Sequence, residues 1–265
     1  MKFSNFLFPE SKSPDDDFSV IEESLDEAVL TDELGFDAVW LAEHHFDGGC
    51  VYVDPVTFAA AIAARTKKVK IGFAVAQMAL HHPIRFAEQI ALIDNISRGR
   101  MIVGVGRGTA YNFYEFRGYG IDPDEAHERL LEVEDILIEA WTTENYKHEG
   151  KYWQVELPVL RPQVYQKPHP PIGVAATSIG SSSIKVAGSH GYIPMSSSNL
   201  APQYLGDHWT TVEDAAAEAG QTTDRSQWRI GRDVFVGKTP EEARERAWAV
   251  LGRNYIEHQR PNRLG

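Results

Sequence analysis

The feature that most constrains this chain is a repeating alternation of short apolar runs with longer amphipathic stretches, carried from residue 2 to about residue 255. KFSNFLF (2–8), DAVWLAE (37–43), VKIGFAVA (69–76), MIVGVG (101–106), IGVAA (172–176), YIPMS (192–196) and WRIGRDVFVG (228–237) read as strands. Several are apolar throughout, as expected of strands covered on both faces. Between them lie predicted helices at 19–34, 55–66, 83–97, 123–141, 179–189, about 201–219 and 240–255. In the first, Ile21, Leu25, Ala28 and Val29 recur at helical spacing, and Gly35 follows as a stop. Pro55 and Pro83 stand at first-turn positions, and Asp122-Pro123 with Glu125, and Thr239-Pro240 with Glu242, form capping patterns. NYKHEGKYWQV (145–155) predicts a small hairpin turning at Glu149–Gly150.

Seven strands, each followed by a helix, make a parallel α/β sheet, either an open doubly wound sheet or a (β/α)₈ barrel lacking one unit. The expected organisation is one domain over 1–265, with the hairpin near 145–155 as an insertion. With 26 basic against 38 acidic side chains, the net charge of −12 repels phosphate backbones and argues against a nucleic-acid partner. The lone Cys50 excludes an internal disulfide framework and a cysteine metal cage. No apolar run reaches the ~18 residues of a membrane helix, and MKFSNFLFPESK is too short a leader for secretion. A cytoplasmic protein is expected.

Parallel α/β folds bind ligands at the carboxyl ends of their strands. Thr177-Ser178-Ile179-Gly180-Ser181 lies between a strand and a helix start, where free N–H groups, a positive helix end and hydroxyls suit an anion such as phosphate. A plain polar cap would look the same. Arg107, set among Gly104, Gly106 and Gly108, lies at the end of the neighbouring predicted strand and offers a planar fork to the same anion; a surface ion pair is the alternative. The glycine spacing is not a dinucleotide fingerprint. Adjacent His44 and His45 at a strand end diverge, so one can enter the mouth as acid, base or donor while the other packs outward. They lack the spacing of a zinc pair. His81-His82-Pro83 reads as a helix start. Phe6, Phe8, Phe46, Tyr111, Phe113, Tyr114 and Phe116 suit either an apolar pocket or ordinary core.

AVWLAEHHF (38–46), GFAVAQMALHHPIRFAEQIALIDNISRGR (72–100) and VGVGRGT (103–109) resemble the bacterial-luciferase-like flavin monooxygenases, most closely the group that oxidises terpenoid or cyclic ketone substrates. The resemblance covers nearly the whole chain. It implies a luciferase-like (β/α)₈ TIM barrel whose C-terminal βα unit is missing from the sequence. It also implies reduced FMN supplied by a separate NAD(P)H-flavin reductase, and insertion of one oxygen atom from O₂ into a small apolar substrate via a flavin C4a-peroxide. His44 matches the active-site histidine, Ala74–Val75 a bulged cis peptide behind the flavin ring, and Arg107 the phosphate-binding arginine. Thr177 and Ser178 match the phosphate loop, which Ala176 and Ser181 flank. Gly106 stands where the luciferases carry a reactive cysteine and Ala176 where they carry a glutamate, which argues against light emission from an aldehyde. A deazaflavin-dependent oxidoreductase and a non-catalytic flavin binder are the alternatives on the same scaffold. The family implies a homodimer through the second and third helices.

Overall fold

The computed structural model describes residues 1–46, 48–108 and 112–252. These fall in two compact units, Met1–Arg229 and the segment from Ile230 onward. In the first unit, strands β1 (Asn5–Leu7), β2 (Ala38–Leu41), β3 (Lys70–Phe73), β4 (Ala76–Gln77), β5 (Met101–Gly106), β8 (Ile172–Ala176) and β9 (Ile193–Ser196) belong to one sheet. An antiparallel hairpin, β6 (Tyr146–Glu149) with β7 (Gln154–Leu157), stands apart from it. The helices are α1 (Asp17–Glu33), α2 (Pro55–Arg65), α3 (Pro83–Ser97), α4 (Phe113–Gly118), α5 (Ala126–Thr142), α6 (Ser182–His190) and α7 (Leu205–Ala219). A two-residue strand, β10 (Arg229–Ile230), spans the boundary; in the second unit α8 (Pro240–Ala247) runs into a π-helical turn (Trp248–Gly252).

The sheet order β1-β2-β3-β5-β8-β9 is parallel at every described pairing and curls as in a (β/α) barrel. All carboxyl ends therefore meet at one rim. Strand parity divides the side chains cleanly. Val39, Leu41, Val103, Val105 and Val174 face the helices in the main core, while Ala38, Trp40, Ile102, Ile193 and Met195 form a smaller cluster inside the curl. Register carries Phe6 opposite Trp40 on the inner face.

Helix starts follow their capping chemistry. Asp54 accepts from the Val56 N–H at 2.9 Å with Pro55 behind it, and Asp122 accepts from Asp124 N–H at 3.0 Å ahead of α5. In the second unit Thr239 accepts from Glu242 N–H at 3.2 Å.

Three features differ from the sequence pattern. The apolar run 69–76 is two strands, because the Ala74–Val75 peptide is cis and interrupts the ladder. Ile71 pairs with Met101 but Ala76 pairs with Val105, so one extra residue bulges out of the β3–β4 side. Of the predicted strand 228–237 only Arg229–Ile230 is strand; Val234 and Val236 remain exposed, so their alternation buries nothing. Helix α4 had no clear signal. Thr109, Tyr111 and the end of the 240–255 helix lie outside the described residues.

The bulge explains two glycines of β5. A Cβ on Gly104 would overlap the Phe73 carbonyl, and one on Gly106 would overlap the Val75 side chain. Gly104→Ala is expected to destabilise the fold by about 2–4 kcal/mol, since the obstructing atom is backbone and cannot swing aside. A urea midpoint unchanged from wild type would contradict this packing.

Candidate active site

Strand parity sends His44 to the inner face at the end of β2, while Glu43 and His45 turn under the helices and are buried. The His44 ring packs edge-on against Phe8, 5.4 Å between centroids, and keeps 27% of its side chain exposed. Its Nδ1 lies 3.1 Å from Glu115 Oε1 and 2.8 Å from Asn112 Nδ2. Glu115, on α4, is wholly buried and gathers further donors: His45 N–H at 3.0 Å, Asn112 Nδ2 at 3.0 Å and Gln77 Nε2 at 2.6 Å. Burial pushes the Glu115 carboxyl up, but hydrogen bonds from His44, Gln77 and His45 outweigh it and hold it below the ordinary value. Nδ1 thus faces both an acceptor, Glu115, and a donor, Asn112, and Nε2 is the nitrogen left for a ligand.

A second buried carboxylate stands beside the first. Glu43 accepts from His45 Nε2 at 3.1 Å, from His81 Nε2 at 2.9 and 3.0 Å, and from Gln77 N–H at 2.6 Å. Gln77 links the two clusters, since its Nε2 also donates to the Glu43 carbonyl at 2.9 Å. His45 Nδ1 lies 3.2 Å from the Tyr119 hydroxyl. Burial opposes the Glu43 charge, yet the charge on His81 and the hydrogen bonds from His45, His81 and Gln77 prevail and hold its carboxyl down to about 2. Burial likewise lowers His81, but Glu43 overrides it and raises the imidazole. The expected helix-start role falls to His82, the N-cap residue of α3. His81 instead belongs to the ionic cluster.

The residues expected to bind an anion lie at the ends of neighbouring strands. β5 pairs with β8 in register through Val105 and Val174, so Arg107 and Ala176 follow at the same level, on strands ~4.8 Å apart. The Arg107 side chain is exposed and has no hydrogen bond or ion pair among the described residues. Thr177 and Ser178 are exposed, and Ser181 is the N-cap of α6 without a side-chain cap bond, so its hydroxyl is unspent. Between this patch and His44 runs the Ala74–Val75 bulge, with the Val75 side chain lying over Gly106. Glycine at 106 is thus a packing requirement, and a thiol side chain there would displace Val75. A cation and hydroxyls without partners among the described residues, beside the apolar Ala74–Val75 segment, fit a phosphate-bearing planar ring. No cluster of three metal-ligating side chains able to hold an ion occurs among the described residues. No helix among them is long and apolar enough to cross a membrane.

The predicted residues His44, Ala74, Val75, Arg107, Ala176, Thr177, Ser178 and Ser181 therefore occupy one rim. Sequence reasoning did not find Glu43, Gln77, His81, Asn112 or Glu115, each of which has a partner 34–71 residues away. The only local signal was an acid, Glu115, inside an aromatic stretch.

The Glu43–His81 pair makes stability depend on pH at both ends. A lowered carboxyl contributes fully above its ordinary 4.5, and the contribution fades as pH falls toward about 2. A raised imidazole contributes fully below its ordinary 6.5, and the contribution fades as pH climbs through the folded value. Urea midpoints of the wild type are expected to fall on either side of a plateau between 4.5 and 6.5. Glu43→Gln should flatten both slopes; slopes identical to wild type would dismiss the pair as their source.

Comparison with known proteins agrees with this fold. The profile of the family described as luciferase-like monooxygenase matches residues 1–264. Limonene 1,2-monooxygenase of Rhodococcus erythropolis is 31% identical over 245 residues, which cover 91% of this chain and 62% of that protein. The chain thus spans under two thirds of that relative's length. A monooxygenase from Streptomyces bottropensis superposes with a TM-score of 0.87 at 32% identity, covering 97% of this chain and 78% of that one. The oxygenating constituent of 3,6-diketocamphane monooxygenase from Pseudomonas putida, solved with FMN, gives a TM-score of 0.88 at 25% identity over 98% of this chain and 75% of its own. The chain belongs to the luciferase-like monooxygenase family.

Proposed function

We propose that this chain is the oxygenating component of a two-component flavin-dependent monooxygenase. It takes FMN reduced by a separate NAD(P)H-flavin reductase and, with O₂, places one oxygen atom on a small apolar organic substrate. The observation that carries the reading is the Arg107 guanidinium, unpaired among the described residues, at a strand end that adjoins the hydroxyl-rich turn 177–181. The diketocamphane relative's complex with FMN supports the cofactor, and that relative, being the oxygenating constituent of its monooxygenase, supports a reductase partner.

Bound reduced FMN supplies the electron pair that activates O₂. The chain's own groups do the rest. Arg107, Thr177, Ser178 and Ser181, with the start of α6, hold the phosphate; a guanidinium fork and aligned N–H groups both favour a dianion. Ala74 and Val75 back the ring, while Ala176, whose side chain packs into the main core, offers only its backbone at the end of β8. His44, oriented by Glu115 and Asn112, presents Nε2 at the mouth, where it holds or moves a proton. Phe6, Phe8 and Trp40 line the inner face and keep water from the reacting atoms. Their hydrocarbon surface selects an apolar substrate. Exposed Leu92 and Ile96 on α3 support pairing of two copies through that helix and its neighbour α2.

Arg107→Ala is expected to weaken FMN binding by about 1.5–3 kcal/mol, as for a lost charge-assisted hydrogen bond. His44→Ala should bind FMN normally but lose oxygenated product in a reductase-coupled assay. Unchanged FMN affinity in the first variant would remove the phosphate assignment; full turnover in the second would remove His44 from the chemistry. No change, on adding the wild type, in the rate at which O₂ reoxidises reduced FMN would turn the reading toward a deazaflavin. Sedimentation at micromolar concentration should give a dimer, and Leu92→Glu a monomer; a wild-type monomer would reject the pairing.

A further inference from the structure

His208, on α7, is completely buried and plays no part in the site as described so far. Its ring nonetheless touches that site's backbone. Nε2 lies 2.9 Å from the Ser178 carbonyl oxygen, and Nδ1 lies 3.0 Å from Ser196 Oγ at the end of β9. Ser196 Oγ in turn accepts from the Trp228 indole N–H at 2.9 Å. These partners fix the proton positions. A carbonyl only accepts, so Nε2 carries the hydrogen; Nδ1 then accepts from the serine hydroxyl, whose oxygen is already taking the indole proton. The chain of donors runs Trp228, Ser196, His208, Ser178 in one direction.

The consequence lies on the far side of the peptide plane. In a trans peptide the C=O and the following N–H point opposite ways. The Ser178 carbonyl is held by His208 on one side and also accepts the Ser181 N–H at 3.2 Å, which closes the turn. The Ile179 N–H is thereby turned away from His208. Neither it nor the N–H groups of Gly180, Ser182 and Ser183 meets a backbone acceptor among the described residues. Without the imidazole, this glycine-containing turn has only the bond to the Ser181 N–H to set its peptide plane.

We propose that His208 is a positioning residue for the phosphate: by anchoring the Ser178 carbonyl it aims the Ile179 N–H, and the turn that follows it, at the anion. The inference rests on the phosphate reading of the 177–181 turn. It assigns the recognition of a phosphomonoester in part to a side chain that never touches it.

The test compares FMN with riboflavin, which has the ring and lacks the phosphate, by fluorescence titration of both oxidised flavins. His208→Phe fills the space without a donor and should weaken FMN about 5- to 10-fold while leaving riboflavin unchanged, the loss expected for one well-made hydrogen bond. His208→Gln, whose amide keeps an N–H near the Nε2 position, should restore most of the FMN preference. Ser196→Ala, which frees the ring to turn, should lose part of it, and serves if the phenylalanine variant does not fold. A parallel loss of FMN and riboflavin affinity, or no loss of either, would overturn the proposal and leave His208 a packing residue. Arg107→Ala separates the two levels. If it lowers FMN selectively while the His208 and Ser196 variants do not, only the positioning role fails; if it too leaves the FMN preference intact, the phosphate reading fails with it.

Discussion

The in-register pairing of β5 with β8 is the constraint from which the site follows. Two parallel strands that end at the same level bring a cation from one connection and a polar turn from the other to a single point, although about 70 residues of chain separate them. Nothing in either segment alone requires this. The intervening α5 and the β6–β7 hairpin are outside the ladder, so their length leaves the geometry of the rim untouched. The same parallel arrangement places His44 at the rim from β2, and the bulge before β4 places Val75 between the two patches.

A second layer of order comes from charge buried behind that rim. Glu43 and Glu115 each collect several donors, and Gln77 joins them with one amide. Buried carboxylates left unpaired would cost several kcal/mol, so segments after β2, at β4 and on α4 are held together by mutual need for partners. The exposed nitrogen of His44 is therefore presented by a framework whose two carboxylates are both engaged by several donors. His208, between Ser196 and the Ser178 carbonyl, is a second buried side chain that supports the site from behind.

Much of this was legible in the sequence, for identifiable reasons. The ends of β5 and β8 came out at the observed residues because both runs are apolar on either face and break sharply at a glycine–arginine and a threonine–serine pair. The divergence of His44 from His45 followed from strand parity alone. The bulged cis peptide came only from likeness to the family. What escaped depended on long-range pairing: Glu115 looks like a surface acid until Gln77, 38 residues earlier, is brought to it. The short α4 carries too few turns for a periodic pattern. His208 left a faint trace, sharing a helical face with Val212 and Ala215, where a histidine must find polar partners inside the protein.

Three alternate glycines, two on β5 and one just after it, meet three different neighbours: Gly104 a carbonyl, Gly106 Val75 and Gly108 the Gln77 side chain. These positions are therefore closed to pocket engineering, because a side chain installed there collides before it reaches a ligand. Attempts to retune substrate preference have to be made elsewhere on the lining, at Phe6 of β1, at Phe8 just after it or at Ala175 of β8, where residues already project inward.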